Sequence, residues 1–311
     1  MEYRIGMDLG GTNIAAGLVA GGELLVRRSV PTRAAEGEHA VIARMVSLVR
    51  ELSAECGAGP GGVASLGVGT PGAVEPDSGR VLFCNNLGWR DVALRERLGE
   101  ATGLPVAVGN DADCAALGEA LFGGERRSDM ALLTIGTGVG LGVVRDGTLV
   151  TGMRGAAGEF GHTTLIAGGE LCSCGRRGCL ERYAAFPALI RAAQRAADGG
   201  DIPLARLRDE GCLNGREIFA LARGGSERAA ALVSSFIGHI GDGVVNLVNL
   251  LDPGCVVIGG GIAPEGEYVL APIREKLSRE AYLGQRLPPV VMAALGGDAG
   301  ILGAAALTPR Q

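Results

Sequence analysis

The sequence predicts a duplicated α/β architecture, and three observations predict it. A unit of strand, glycine turn, strand and hairpin opens the chain as YRIGMDLGGTNIAAGLVAGGELLVRRSV and returns after residue 130 as MALLTIGTGVGLGVVRDGTLV. Apolar strand-like runs alternate with amphipathic helical stretches. The 54 glycines sit beside runs of Val, Ile and Leu, well above the usual share of about 7% and placed as strand-to-turn junctions require. Two halves, each offering a Gly/Thr turn to a shared cleft, account for the repeat most simply. Two unrelated hairpins that both use Gly and Thr are the alternative.

Taken in order, the first unit reads as a β-meander from about residue 3. Val41, Met45, Val49, Leu52 and Cys56 then recur every three or four residues between Glu38 and Cys56, the stripe of an amphipathic helix. VASLGVGTPGAVEP is an apolar strand ending in a Thr-Pro-Gly turn. LPVAVGNDADCAALGEALFG is a strand, a sharp turn at Gly109-Asn110, and an Ala/Leu helix that Asn110 or Asp111 caps. After the second unit come a long helical stretch from Leu180 to about Ala222, broken around Gly199 to Pro203, and a helix from about Ser226 to Leu251. CVVIGGGIA closes the series as a strand running into a Gly-rich turn.

At 311 residues the chain can hold two domains and a large core. Its net charge of −5, with nothing more basic than Arg176-Arg177, excludes nucleic acid as the obvious partner. No apolar run approaches the ~18 to 20 residues that crossing a bilayer requires, and MEYRIGMDLGG lacks a charged leader with an apolar segment behind it. A soluble, cytoplasmic protein without a membrane partner is expected. Cys56, Cys84, Cys114, Cys212 and Cys255 occur singly, as small buried hydrophobes in a reducing compartment do.

Three glycine turns carry candidate phosphate chemistry: Gly10, Gly11, Thr12 and Asn13; Gly136, Thr137 and Gly138; and Gly259, Gly260 and Gly261. Glycine lets backbone N–H groups approach an anion, and a threonine hydroxyl adds a donor. None matches the P-loop pattern, and GTGVGLG is followed by strand-like residues where a dinucleotide fold needs a helix. A nucleotide held between two hairpin turns fits better. Asp8 ends the first strand where a carboxylate suits an Mg2+ ion bridging phosphates through water; a turn Asp accepting backbone N–H groups is the bland alternative. Asp111 stands at a helix N-terminus, where the dipole favours its ionised form. Such a carboxylate can take the proton of an attacking hydroxyl, provided that Asn110 does the capping.

His162, Cys172, Cys174 and Cys179 form the pattern H-x9-C-x-C-x4-C. Three thiolates and one imidazole complete a tetrahedral Zn2+ set with no position left for water, which indicates structure and not hydrolysis. A Cys172–Cys174 disulfide would close a strained ring. Glu159 and Glu181 flank the cluster, and each carboxylate can accept from two hydroxyls of a polyol.

These segments together resemble a known family. DLGGTNIAAG, GVGTPGAVEPDSGRVLFCNNLGW, GNDADCAALGE, TIGTGVGLGVV, GEFGH, CSCGRRGCLE and VVIGGGI stand in the order and at roughly the spacing of the ROK family (repressors, open reading frames and sugar kinases). The resemblance implies an actin-like, ribonuclease-H-type ATPase fold with two α/β lobes, a cleft between them, and a structural zinc loop over 159–181. The small N-terminal lobe would comprise 1–117 with 298–311, and the large C-terminal lobe 118–297. Asp111 would be the general base that deprotonates a sugar hydroxyl, usually the 6-OH of a hexose, for attack on the γ-phosphate of ATP. Asp8 would be the Mg2+-associated aspartate, the first two turns would hold phosphates, and Gly259 to Gly261 would face adenosine. Gly72, Asn86, Asn110, Glu159, His162 and Glu181 would meet sugar hydroxyls, with His162 using one ring nitrogen for zinc and the other for substrate.

Asn13 stands where many sugar kinases of the family have Lys, Leu141 where Gly is common and Glu75 where Asp is frequent; this bears on phosphate affinity and nucleotide preference. The first phosphate strand begins by Arg4, leaving no room for the DNA-binding module of the family's repressors, and the retained carboxylates argue against a non-catalytic sugar sensor. The TPGAV turn and the NNLGW segment resemble those of bacterial glucokinases of the family, with N-acetylmannosamine, N-acetylglucosamine, allose and fructose kinases sharing the motifs, and a homodimer or dimer of dimers is expected.

Overall fold

The structure, a computed structural model, describes residues 2–55, 62–124, 126–282, 284 and 286–308; Cys56 lies outside them. The chain divides into two compact units. The first comprises Met1–Leu132, Leu141–Gly158 and Ala293–Gln311, the second Leu133–Gly140 and Glu159–Met292.

In the first unit, β1 (Tyr3–Leu9), β2 (Asn13–Ala20) and β3 (Glu23–Pro31) form the expected meander, followed by α1 (Glu38–Glu55) and β4 (Val63–Thr70). A small antiparallel sheet follows, made of β5 (Ala73–Val74), β6 (Val81–Cys84) and β7 (Trp89–Val92). After α2 (Leu94–Thr102), β8 (Val106–Asn110) joins β4 in parallel, completing the order β3-β2-β1-β4-β8. Alternation along β1 sends Ile5, Met7 and Leu9 to one face. There they pack with Val41, Met45, Val49 and Leu52 of α1 in the main core.

The other face of that sheet is lined with glycine. Gly6 pairs with Gly17 on β2 and Gly67 on β4, so no side chain separates the sheet from α10 (Ala299–Ala306). A Cβ on Gly6 would fall 1.9 Å from the carbonyl oxygen of Ile301, and one on Gly67 1.7 Å from that of Ala304. Helix α3 (Asp111–Phe122) crosses α10 as closely: a Cβ on Gly303 would lie 1.7 Å from the Cys114 oxygen, and one on Gly118 2.2 Å from the Ala299 oxygen.

These contacts explain why the units differ from the expected lobes. The expected boundary at 117/118 falls inside α3, whose full length packs on α10, so residues 118–132 stay with the first unit. The chain passes between the units inside β9 (Met130–Ile135) and β10 (Val139–Arg145), and returns at Ala293, not at 298. Glu119, fully buried on α3, holds that return: it accepts the N–H groups of Ala294 at 3.0 Å and Leu295 at 2.8 Å. A buried carboxyl group is tolerated only with such partners.

The second sheet has the order β11-β10-β9-β12-β13, with β11 (Thr148–Leu149), β12 (Val256–Gly259) and β13 (Val290–Met292). The long helical stretch expected after Leu180 is four helices: α4 (Glu181–Ala184), α5 (Phe186–Asp198), α6 (Ile202–Asp209) and α7 (Gly215–Arg223). One break is the expected one after Asp198. Another arises where Ala185 turns extended and Pro187 enters the first turn of α5, since proline suits a helix start and cannot continue a helix. The third follows Gly211 at φ 70°, before Asn214 caps α7 by accepting the Glu217 N–H.

Helix α8 (Glu227–Leu251) is capped by Ser226 and followed by α9 (Glu267–Glu280). By length and a mean hydropathy of 1.4 it could cross a bilayer, against the expectation that no such run exists; 56% of that stretch is buried inside the protein, as befits the core helix of the second unit.

Replacing Glu119 by Ala takes the shared carboxylate acceptor from the N–H groups of Ala294 and Leu295. The variant is expected to lose about 2–3 kcal/mol of stability, read from its urea unfolding midpoint; an unchanged midpoint would refute this role at the junction.

Candidate active site

In the first unit the glycine-lined face carries Asp8, one rung beyond Gly6 in the side-chain alternation. The first turn of α10 closes on it: a Cβ at Gly300 would stand 3.2 Å from the Asp8 carboxyl carbon. Burial, and secondly the nearby Asp111, push Asp8 up to about 6, against the pull of Arg27. The turn after β1 is pinned from several sides. Gly10 N–H donates to Asn13 O at 2.9 Å, the Thr32 hydroxyl to Gly10 O at 2.6 Å, and Thr32 N–H to Thr12 O at 2.8 Å. Gly11 sits beside Asn86, where a Cβ would be 3.4 Å from the Asn86 Cβ, so the first turn and one sugar candidate are neighbours.

Asn110, and not Asp111, caps α3. Its Oδ1 accepts the N–H groups of Ala112 at 2.8 Å and Asp113 at 3.3 Å, while its Nδ2 donates to Gly72 O at 3.1 Å. Gly72 has φ 91°, and a Cβ there would strike Phe83 O at 2.1 Å, so only glycine allows this approach. Asp111 becomes the first helical residue, its Oδ1 accepting Ala112 N–H at 2.9 Å. Burial raises its pKa against these hydrogen bonds. The structure thus brings together Asp8, Gly10 to Asn13, Gly72, Asn86, Asn110 and Asp111 within one unit.

In the second unit, Gly136 N–H donates to Gly138 O at 3.0 Å, making the tight turn between β9 and β10. Glu181, at the start of α4, holds it: Val139 N–H donates to Glu181 Oε2 at 3.1 Å, and a Cβ on Gly138 would lie 2.5 Å from that oxygen. Gly259 ends β12, and Gly260, at φ 81°, would put a Cβ 2.6 Å from Ile135 O. The second and third turns therefore adjoin the same strand end. Thr137 and Gly261 are exposed.

The four metal-type ligands do converge. The ligand atoms of His162, Cys172, Cys174 and Cys179 all lie within 4.8 Å of one another, with His162 Nδ1 3.7 Å from Cys172 Sγ and Cys174 Sγ 3.6 Å from Cys179 Sγ. A tetrahedron of about 2.3 Å Zn–S bonds has edges of about 3.8 Å, so the residues fit zinc. Burial disfavours the Cys172 thiolate, but hydrogen bonds from Cys174 and His162 outweigh it and lower the thiol to about 7. Burial and the neighbouring sulfurs push Cys179 up to about 12. Three sulfurs this close all ionise only around a cation. His162 turns its Nε2 the other way, 3.9 Å from Glu159 Oε2.

Two supports were missed from sequence. Thr32 is a fully buried threonine 22 residues from the turn it holds. Glu170 spends every polar group on the cluster's surroundings. Its carboxyl group accepts from Arg182 at 3.2 Å and Arg191 at 3.4 Å, its N–H donates to Tyr183 Oη at 2.7 Å, and its carbonyl accepts Gly178 N–H at 2.8 Å. No local pattern marks either residue.

A ROK family model matches residues 4–311. The glucokinase of Halalkalibacterium halodurans is 36% identical over 318 residues, covering all of this chain and 96% of that protein. A ROK family glucokinase from Streptomyces griseus, solved with glucose and AMPPNP, superposes with a TM-score of 0.86 at 35% identity, over 98% of this chain and 99% of that one. A xylose repressor of Caldicellulosiruptor bescii is 31% identical over 266 residues, 85% of this chain and 67% of the repressor. Fold and full-length likeness define a hexose kinase. The chain belongs to the ROK family.

Coupling between the two aspartates can be measured. In metal-free protein, Asp111→Asn is expected to lower the Asp8 titration midpoint from about 6, while burial, the larger cause, keeps it above 3.8; carbon-13 NMR of the carboxyl group reads it. An unmoved midpoint would show that the two do not interact.

Proposed function

We propose that the protein transfers the γ-phosphoryl group of ATP to the 6-hydroxyl of a hexose, with glucose as the preferred substrate and Asp111 as general base. The observation that carries this reading is the capping of α3 by Asn110. It leaves Asp111 at the helix N-terminus, where the dipole favours a carboxylate, without engaging that residue as the cap. The likeness to glucokinases over the full length supports the choice of sugar.

In this reaction the hydroxyl proton passes to the Asp111 carboxylate as the sugar oxygen bonds to the γ-phosphorus, and the bond to the β,γ-bridging oxygen breaks to release ADP. In this reading Gly72, Asn86 and Asn110 orient the sugar, and Glu159, His162 and Glu181 accept its hydroxyls. Gly10 to Asn13 and Gly136 to Gly138 present backbone N–H groups to phosphates, and Gly259 to Gly261 accept the adenosine. Asp8 would hold Mg2+, which neutralises phosphate charge when bound. Asn13 brings no cation to the first turn. His162 Nδ1 and the sulfurs of Cys172, Cys174 and Cys179 would hold a structural Zn2+. That arrangement leaves Nε2 of His162 for a sugar hydroxyl.

A coupled assay of ADP release across hexoses, N-acetyl sugars included, tests the reading. Glucose is expected to give the highest kcat/KM, and Asp111→Ala to lower kcat by about 10²- to 10⁴-fold; full activity in that variant would sink the base assignment, and no turnover on any hexose would sink the function. Because the base must be ionised and its pKa is raised above 3.8, activity should be lost as pH falls through a limb above that value. Protein purified without chelator should carry one zinc per chain by elemental analysis, and well under one would refute the Cys3His site.

A further inference from the structure

The junction of α4 and α5 grips the second glycine turn at both ends. Glu181 takes the Val139 N–H at one end. At the other, Phe186, the first residue of α5, donates its N–H to Gly136 O at 3.0 Å. The ring of Phe186 then reaches the third turn. A Cβ on Gly261 would stand 3.0 Å from Phe186 Cε2, and one on Gly215, the first residue of α7, 2.3 Å from Phe186 Cδ1. The ring also stacks on Phe236 of α8, with centroids 5.8 Å apart and planes 28° apart. Phe236 in turn meets Phe219 edge-on at 6.4 Å. A partly exposed aromatic ring is thus fixed by three helices and ends against the exposed Gly260-Gly261 turn.

We propose that Phe186 is a positioning and base-binding residue of the nucleotide site: its backbone sets the phosphate turn at Gly136, and its ring is the apolar wall beside Gly261 on which the purine rests. This deepens the reading of these turns as the ATP site and rests on it. Gly261, on the exposed turn, brings no side chain against the ring, so a flat ligand can come against it there without displacing another group, while the buried Gly215 seats the ring from behind. A planar base gains by contact with a rigid aromatic ring, and that gain needs no hydrogen-bond readout. Because the ring is already held by Phe236 and Gly215, little rotamer freedom is lost when the base arrives. The two parts of Phe186 act on different parts of the nucleotide. The N–H bond to Gly136 bears on the phosphates and survives any side-chain change, whereas the ring bears on the base alone.

Inorganic tripolyphosphate, which has the phosphates and no base, separates the two. In Phe186→Ala the Kd and KM for ATP should rise by about tenfold or more, while the Kd for tripolyphosphate and the KM for hexose stay within about twofold. Phe186→Leu, which keeps apolar volume without the ring, should fold as the wild type does and show a smaller loss for ATP alone. Parallel weakening of ATP and tripolyphosphate would overturn the proposal, as would an unchanged ATP constant in either variant. If wild-type protein bound ATP but phosphorylated no hexose, the functional reading would fail and not this assignment; if it bound no ATP, both would fail.

Discussion

Two helices crossing backbone to backbone over a glycine-lined sheet is the constraint from which the arrangement of the first unit follows. Gly303 and Gly118 let α3 and α10 approach until carbonyls occupy the space of absent side chains, and Gly6 and Gly67 let α10 do the same against the sheet. Packed interiors do not deform continuously, so the approach has one solution. In that solution α3 presents Asp111 at its first residue, and α10 closes its first turn on Asp8. The burial that raises both carboxyl pKa values, and the nearby Asp111 that adds to the rise at Asp8, are consequences of this packing, and so is the position from which a base could act.

The second unit solves a different problem, which is to hold acids and turns on irregular backbone. The stretch from Glu159 to Cys179 has little regular structure of its own. Its geometry comes from four convergent ligands and from Glu170, whose bonds to Arg182, Arg191 and Tyr183 tie it to the helices behind it. Glu181 joins the cluster to the turn between β9 and β10, because its oxygen accepts the Val139 N–H, and the same carboxylate is a sugar candidate.

What could be read from sequence was whatever local spacing encodes. The meander, α1, the strand before Asn110 and the Cys/His spacing all appear where periodicity or ligand intervals placed them, because a period of two or 3.6 residues and a ligand loop are short-range properties. Helix α10 left no such signal: AGILGAAA is buried on most sides, so no polar face marks its period. The expected lobe bounds differ from the two compact units for the same reason, since the units depend on α3 meeting α10 and on Glu119 reaching Ala294 and Leu295. Thr32 and Glu170 likewise act through partners set by tertiary structure. The candidate sugar and phosphate residues were legible only as motifs; that Gly11 lies beside Asn86, and Glu181 on Val139, needed the fold.

The central claim is that the α3–α10 crossing sets the working position of the two aspartates. Gly303→Ala tests it most directly, because the new methyl must push α10 away from the Cys114 carbonyl, and displacement of a catalytic group by about 1 Å costs on the order of 10² in rate. Turnover should be measured at saturating hexose and ATP, well below the variant's melting temperature. The account predicts a folded protein whose kcat is lower by at least about tenfold; a folded variant that turns over as fast as wild type would contradict it.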